Sequence, residues 1–168
     1  MTTYRTVFGS LDKHEKGTIE IINDDPKHYV YSNVFEVVGK AKPYEKTAVA
    51  KNLEYVIEAI RAEGRSRWMS CAHDEFVVVL DGEVEVELVK LAEAPSSGPD
   101  KTPKAGTVLL AGEPDGKRMG TIRLKRGHQA LLPVGSAYRF NAARPSAMIQ
   151  QTLKGDLTVE KWGEICFR

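Results

Sequence analysis

One stretch constrains this chain more than any other: Gly127-His-Gln-Ala-Leu-Leu-Pro133-Val-Gly135-Ser-Ala-Tyr138-Arg-Phe-Asn141. Gly127 and Gly135 can take the positive φ that a tight turn between strands requires, and Pro133 fixes φ on entry to the second turn. Residues 128–132 are long enough for one short strand, and 136–141 for the next. Short strands closed by Gly and Pro turns suit an all-β barrel or a small antiparallel sandwich.

The same spacing resembles the second motif of the cupin barrels: a glycine, Pro-x-Gly, a metal-binding histidine and then an asparagine. Tyr138 stands where that family places its histidine. The family's first motif is also traceable. Gly64 opens it, Glu75 takes the glutamate position and Gly82 closes it. Its His-x-His falls on Met69 and Cys71, or on Trp68 and Ser70, and neither pair contains an imidazole. His73 lies two residues before Glu75, and on a straight strand both point to one face. The resemblance implies a single jelly-roll barrel whose ligand set has been emptied except at Glu75.

A facial triad for non-haem iron wants two imidazoles and a carboxylate. His73 and Glu75 supply two such ligands, with Tyr138 or Cys71 as a poor third. His128 follows a turn glycine and belongs at a strand end, away from the barrel centre. With Trp68, Met69 and Tyr138 in ligand positions, a filled apolar interior without metal is expected. No residue is therefore assigned as catalytic, cofactor-binding or metal-ligating. Met69, Cys71, Glu75 and Tyr138, with His73 nearby, mark the vestigial site. In structural terms His73 is a hydrogen-bonded barrel histidine and Glu75 a carboxylate paired with a nearby Arg or His.

The 168 residues suit one compact domain that buries roughly 70% of its unfolded surface. A net charge of +1 implies no general affinity for nucleic acid or anionic membrane. No long apolar run suggests a membrane span, and Met1-Thr2-Thr3-Tyr4 does not begin a signal peptide. Two cysteines, Cys71 and Cys166, are too few for a disulfide scaffold, so a reducing cytoplasm is expected.

Two sections are expected: an N-terminal extension over residues 1–51, adding strands to the barrel and a partner interface, and the barrel over 52–168. Strands are expected at 17–22 and 29–38. Residues 44–63 carry apolar positions at helical spacing, but the barrel register places a strand at 54–62 and leaves 48–52 open. Strands 76–80 and 83–89 flank Asp81-Gly82, a strong hairpin turn. Val84, Val86 and Leu88 face inward, and Glu83, Glu85 and Glu87 form a solvated outer face. Residues 90–120 form a long loop with a brief strand at 108–110, and 116–120 offers two cations between glycines without matching a phosphate loop. A last strand spans 147–153, and Trp162 and Ile165 pack on the barrel exterior.

Several segments together resemble the small subunit of the two-subunit bacterial hydroquinone dioxygenases: Thr6-Val-Phe-Gly-Ser10, Glu20-Ile-Ile-Asn-Asp-Asp-Pro26, residues 52–64, Ala72-His-Asp-Glu-Phe76, Arg126-Gly-His-Gln-Ala-Leu-Leu-Pro133 and Glu160-Lys-Trp162. They cover most of the chain outside residues 90–120. The resemblance implies a heterotetramer with a larger cupin-like subunit that carries Fe(II), binds the aromatic diol and cleaves hydroquinone to 4-hydroxymuconic semialdehyde during para-nitrophenol breakdown. Any contribution of this chain to the substrate region is expected from Tyr29, Tyr31, Phe35 and Trp68. Two other readings stay open. One is a metal-free cupin that binds a small molecule in an open polar cavity around His73 and Glu75. The other is a metalloenzyme with a reworked site at His73, Glu75 and Tyr138.

Overall fold

Glycines mark the corners of this chain. The computed structural model describes residues 9–14, 33–93 and 106–165. In it Gly64, Gly82, Gly127 and Gly135 all have positive φ, at 69, 81, 83 and 75°. These are the punctuating glycines of both sequence motifs. The elements run α1 (Val34–Lys40), β1 (Lys46–Asn52), β2 (Tyr55–Arg65), β3 (Met69–Ser70), β4 (Glu75–Asp81), β5 (Glu83–Leu91), β6 (Val108–Leu109), β7 (Gly116–Lys125), β8 (Gln129–Leu132), β9 (Ser136–Leu153), β10 (Thr158–Val159) and α2 (Trp162–Ile165).

Strand β9 is the spine of a curled sheet. It runs antiparallel to β2, β3, β4 and β5, with Tyr55 opposite Leu153 and Arg65 opposite Asn141 in the β2 pairing. The sequence suggested two strands here, yet they form one of 18 residues. Its buried alternation breaks over the exposed residues 143–145, opposite a register shift between Ala62 and Gly64. Pro145, which lacks an N–H, sits in that irregularity, where no ladder bond is lost.

The expected hairpin at Asp81-Gly82 does not form. β4 pairs with β8 and β9, and β5 pairs with β7 and β9, so the two strands follow different parts of the same spine. Asp81-Gly82 is instead the corner between them. A Cβ on Gly82 would run into the Ser146 side chain, so the corner needs glycine for space as well as for its φ.

Two further expectations are corrected, and one segment left open is assigned. The β-branched run after Asn33 is helix α1, not strand. The Asn33 side chain accepts from the N–H groups of Phe35 and Glu36 at 3.0 and 3.4 Å, Lys40 pairs with Glu36 at 2.7 Å, and Val37 and Val38 pack on the sheet. Residues 48–52 belong to β1, which pairs with β2 from Lys46 onward. Residues 116–120, expected as the end of a long loop, open strand β7 against β5. The expected strand at 17–22 and residues 29–32 lie outside the described residues.

Two apolar clusters hold the fold. Ile60, Val77, Val79, Val84, Val86, Leu132, Phe140 and Met148 fill the barrel interior. On the outer face, Val37 and Val38 of α1 and Ile165 of α2 cover Val49, Ala59 and Ala147, with Trp162 and Phe35 packed beside them. No described helix is long and apolar enough to cross a membrane.

Candidate functional site

The strand period of two brings Glu75, Val77 and Val79 of β4 to the interior and turns Phe76 outward. From β9 the same rule sends Tyr138, Phe140, Met148, Gln150 and Thr152 inward. Met69 stands beside Tyr138 across the β3–β9 pair. The vestigial positions therefore do converge.

Their chemistry is polar. The interior was expected to be apolar, but a chain of hydrogen bonds crosses it. Lys46 Nζ donates to Glu58 Oε2 at 3.0 Å and to Gln150 Oε1 at 2.8 Å. Gln150 Nε2 donates to the Tyr138 hydroxyl at 2.9 Å. That hydroxyl donates to Glu75 Oε2 at 2.5 Å, and Thr107 Oγ1 donates to Glu75 Oε1 at 2.6 Å. The second Glu58 oxygen accepts from Thr158 at 2.7 Å. Along the path from Lys46 through Gln150 and Tyr138 to Glu75 each donor points from ammonium to carboxylate, and all members of the network but Thr158 are buried. Glu75 was expected to pair with an Arg or His, but the single cation of the network is Lys46, two hydrogen bonds removed from Tyr138.

Lys46, Glu58, Thr107 and Gln150 were missed by the sequence reading. The signal existed for two of them: Glu58 shares its parity with Val56 and Ile60, and Gln150 with Met148. Polar residues on the buried parity of a strand must carry their partners with them.

Beside this network sit Cys71 and His73. The Sγ, an imidazole nitrogen and a Glu75 oxygen lie within 4.8 Å of one another. His73 Nε2 accepts from the Leu153 backbone N–H at 3.3 Å and also meets Thr152 Oγ1 at 3.3 Å. A backbone N–H only donates, so the imidazole lone pair is on Nε2 and Nδ1–H faces Cys71 Sγ at 3.0 Å. The thiol in turn donates to the Gly106 carbonyl at 3.3 Å. Burial, then the adjacent Glu75, pushes the Cys71 thiol up to about 12. Burial likewise raises the Tyr138 phenol well above its usual range, with Glu75 adding to it.

The other candidates lie elsewhere. His128 is exposed at the turn before β8, as expected, where its Nδ1 accepts from the Lys125 N–H at 3.2 Å. Trp68 packs with its Nε1 donating to Glu113 at 2.8 Å and the Arg139 guanidinium 4.2 Å over its ring. Phe35 is engaged in the outer cluster, and Tyr29 and Tyr31 fall outside the described residues. The glutamate row of β5 stays on the outer face. Arg139 and Arg65 hold the Glu87 carboxyl below the usual carboxylate range, and Arg123 and Asn141 do the same for Glu85. A groove of about 870 Å³ lies along Asp81, Glu85, Arg123 and Arg144, but it shares no residue with the interior network.

The glycine corners, the strand that spans the barrel and the convergence of Glu75 with Tyr138 define a cupin barrel. Neither a protein-family model nor a curated protein sequence matches the chain. Solved structures do. A chain of hydroquinone 1,2-dioxygenase PnpCD, in complex with Cd2+ and 4-hydroxybenzonitrile, is 54% identical over 100% of this chain and 99% of its own, with a TM-score of 0.84. A chain of hydroquinone 1,2-dioxygenase from Sphingomonas sp. TTNP3, with 4-hydroxybenzoate bound, is also 54% identical, over 98% of both chains, with a TM-score of 0.84. The chain belongs to the hydroquinone 1,2-dioxygenase family. A second PnpCD chain, from a complex with Fe3+, matches at 7% identity and a TM-score of 0.57; 84% of this chain covers 37% of that one. That longer chain shares the fold alone.

The family implies iron. The donors here do not suit a non-haem ferrous centre. They comprise one imidazole with its lone pair on a backbone N–H, one carboxylate with both oxygens occupied, and a thiol held protonated.

Proposed function

We propose that this chain is the small, non-catalytic subunit of a two-subunit Fe(II)-dependent hydroquinone dioxygenase. The iron and the diol site lie in a larger cupin-fold subunit, and this chain binds no metal itself. The reaction is ring cleavage of hydroquinone to 4-hydroxymuconic semialdehyde, in the breakdown of para-nitrophenol and related aromatics. The assembly is a cytoplasmic heterotetramer without affinity for nucleic acid or membrane, and residues 1–51 serve both the barrel and the partner interface.

One observation carries this reading: both oxygens of Glu75, the one side chain that keeps its ligand position, accept hydrogen bonds from buried hydroxyls. A metal there would have to displace Tyr138 and Thr107 and leave Gln150 without its acceptor. The comparisons support the partner, since PnpCD contains one chain of which this chain covers 99% and another, longer one of which it covers 37%.

The second reading, a reworked metal site, is favoured by the 4.8 Å grouping of Cys71, His73 and Glu75. Expression of the chain alone and together with the larger subunit separates the two. The subunit reading expects iron and hydroquinone cleavage in the complex, and neither in this chain by itself. A metal held stoichiometrically by the isolated chain and lost in His73→Ala supports the second.

A further inference from the structure

The outer face of the sheet is apolar well beyond the part its helices cover. Under α1 and α2 lie Val49, Ala59 and Ala147. Past that cover, Ile57 pairs with Gln151, Gln151 with Phe76, and Phe76 with Leu131. Paired residues share a face, so these side chains form one row across β2, β9, β4 and β8. Tyr55, two residues before Ile57, extends the row toward Leu53 at the β1–β2 tip. Leu53 is 68% exposed, Tyr55 62%, Leu131 59%, and Ile57 and Phe76 37% each.

A sheet face left to water ordinarily carries polar side chains at these positions. Here five large apolar groups expose on the order of 500 Å², near the upper end of the largest patch on an ordinary monomer. Leu53 adds a second, independent signal. Its φ is 55°, a conformation that turn asparagine or glycine takes far more readily. A leucine held there and 68% exposed finds no burial to offset that backbone among the described residues.

We propose that this row is the seat of the larger subunit. The inference rests on the subunit reading above and names the surface that reading requires. Obligate interfaces are apolar, with aromatic anchors, and take about 1,000 Å² or more from each partner. The row supplies most of such a centre, with Tyr55 and Phe76 as its rings. The PnpCD assembly contains a longer chain of the same fold to occupy it.

The test uses the full chain co-expressed with the larger subunit, with affinity measured by titration of the separated chains. Phe76→Glu with Leu131→Glu places two carboxylates in the row without touching the interior, and is expected to weaken association at least about tenfold. Leu53→Asn relieves the left-handed leucine, so it keeps or raises the thermal midpoint while weakening association several-fold. Wild-type affinity in both variants overturns the inference and leaves the subunit reading standing. Loss of self-association with the heteromer intact also overturns it, because the face then belongs to a second copy. If the wild-type chain never binds the larger subunit, the subunit reading itself fails and the inference falls with it.

Discussion

At the scale of the residue, Tyr138 decides the character of the interior. An imidazole in its place would offer a lone pair toward Glu75; the phenol offers a proton instead. Tyr138→Phe removes that proton and leaves Glu75 and Gln150 each short of a partner. It is expected to destabilise by about 1–3 kcal/mol in urea unfolding. Lys46→Met strands Glu58 without its cation in the interior, and a larger loss of about 3–5 kcal/mol is expected. Alkali acts on the same network. The raised Cys71 thiol and Tyr138 phenol both keep their protons in the fold. Below the unfolded thiol value of about 8.5 their contribution is fully present. As pH rises beyond it, the unfolded chain gives up protons that the folded chain retains. Stability then falls, by up to about 1.4 kcal/mol per pH unit for each group, until the folded thiol titrates near 12. Urea midpoints at pH 8, 9 and 10 should decline, and Cys71→Ser should flatten the decline; a level wild-type profile contradicts it.

At the scale of the element, long-range pairing overrules local signals. Asp81-Gly82 has the composition of a hairpin turn, and Gly82 does take a positive φ. Yet the strands on either side each prefer β9, a choice that no window around Asp81 contains. Gly82→Ala should therefore cost more than the left-handed conformation alone, at least about 1–2 kcal/mol, because Ser146 leaves no room for a methyl group. Chemical unfolding would reveal it, and an unchanged midpoint would show the corner to be loose. Helix α1 was illegible for a related reason: Val34, Val37 and Val38 have strand propensity, and the Asn33 cap with packing on the sheet overrides it. The hydrophobic alternation of β5 was legible because burial on one face imprints a period of two, and the motif glycines were legible because few residues tolerate their φ. The polar interior was half legible. Glu58 and Gln150 advertise themselves by parity, whereas Lys46 and Thr107 precede a strand's clear pattern or sit in an irregular connection.

At the scale of the whole molecule, the barrel has a hydrogen-bonded polar network inside and, among the described residues, an exposed apolar row outside. Both oxygens of Glu75 and both of Glu58 accept hydrogen bonds inside, which ties β1, β2, β4 and β9 together, while the row outside is the surface assigned above to the larger subunit. That Tyr138 stands where the motif places a histidine was readable in the sequence, since a missing imidazole is visible as such. What replaced the ligands was not, because the replacement is assembled from five strands and connections that meet only in three dimensions. The direct measurement is metal content and turnover of the chain purified alone, anaerobically loaded with Fe(II), against its complex with the larger subunit. The account predicts less than stoichiometric, washable iron and no hydroquinone cleavage for the chain alone, with iron and cleavage in the complex. One tightly held iron per isolated chain, released by Glu75→Gln, would contradict it.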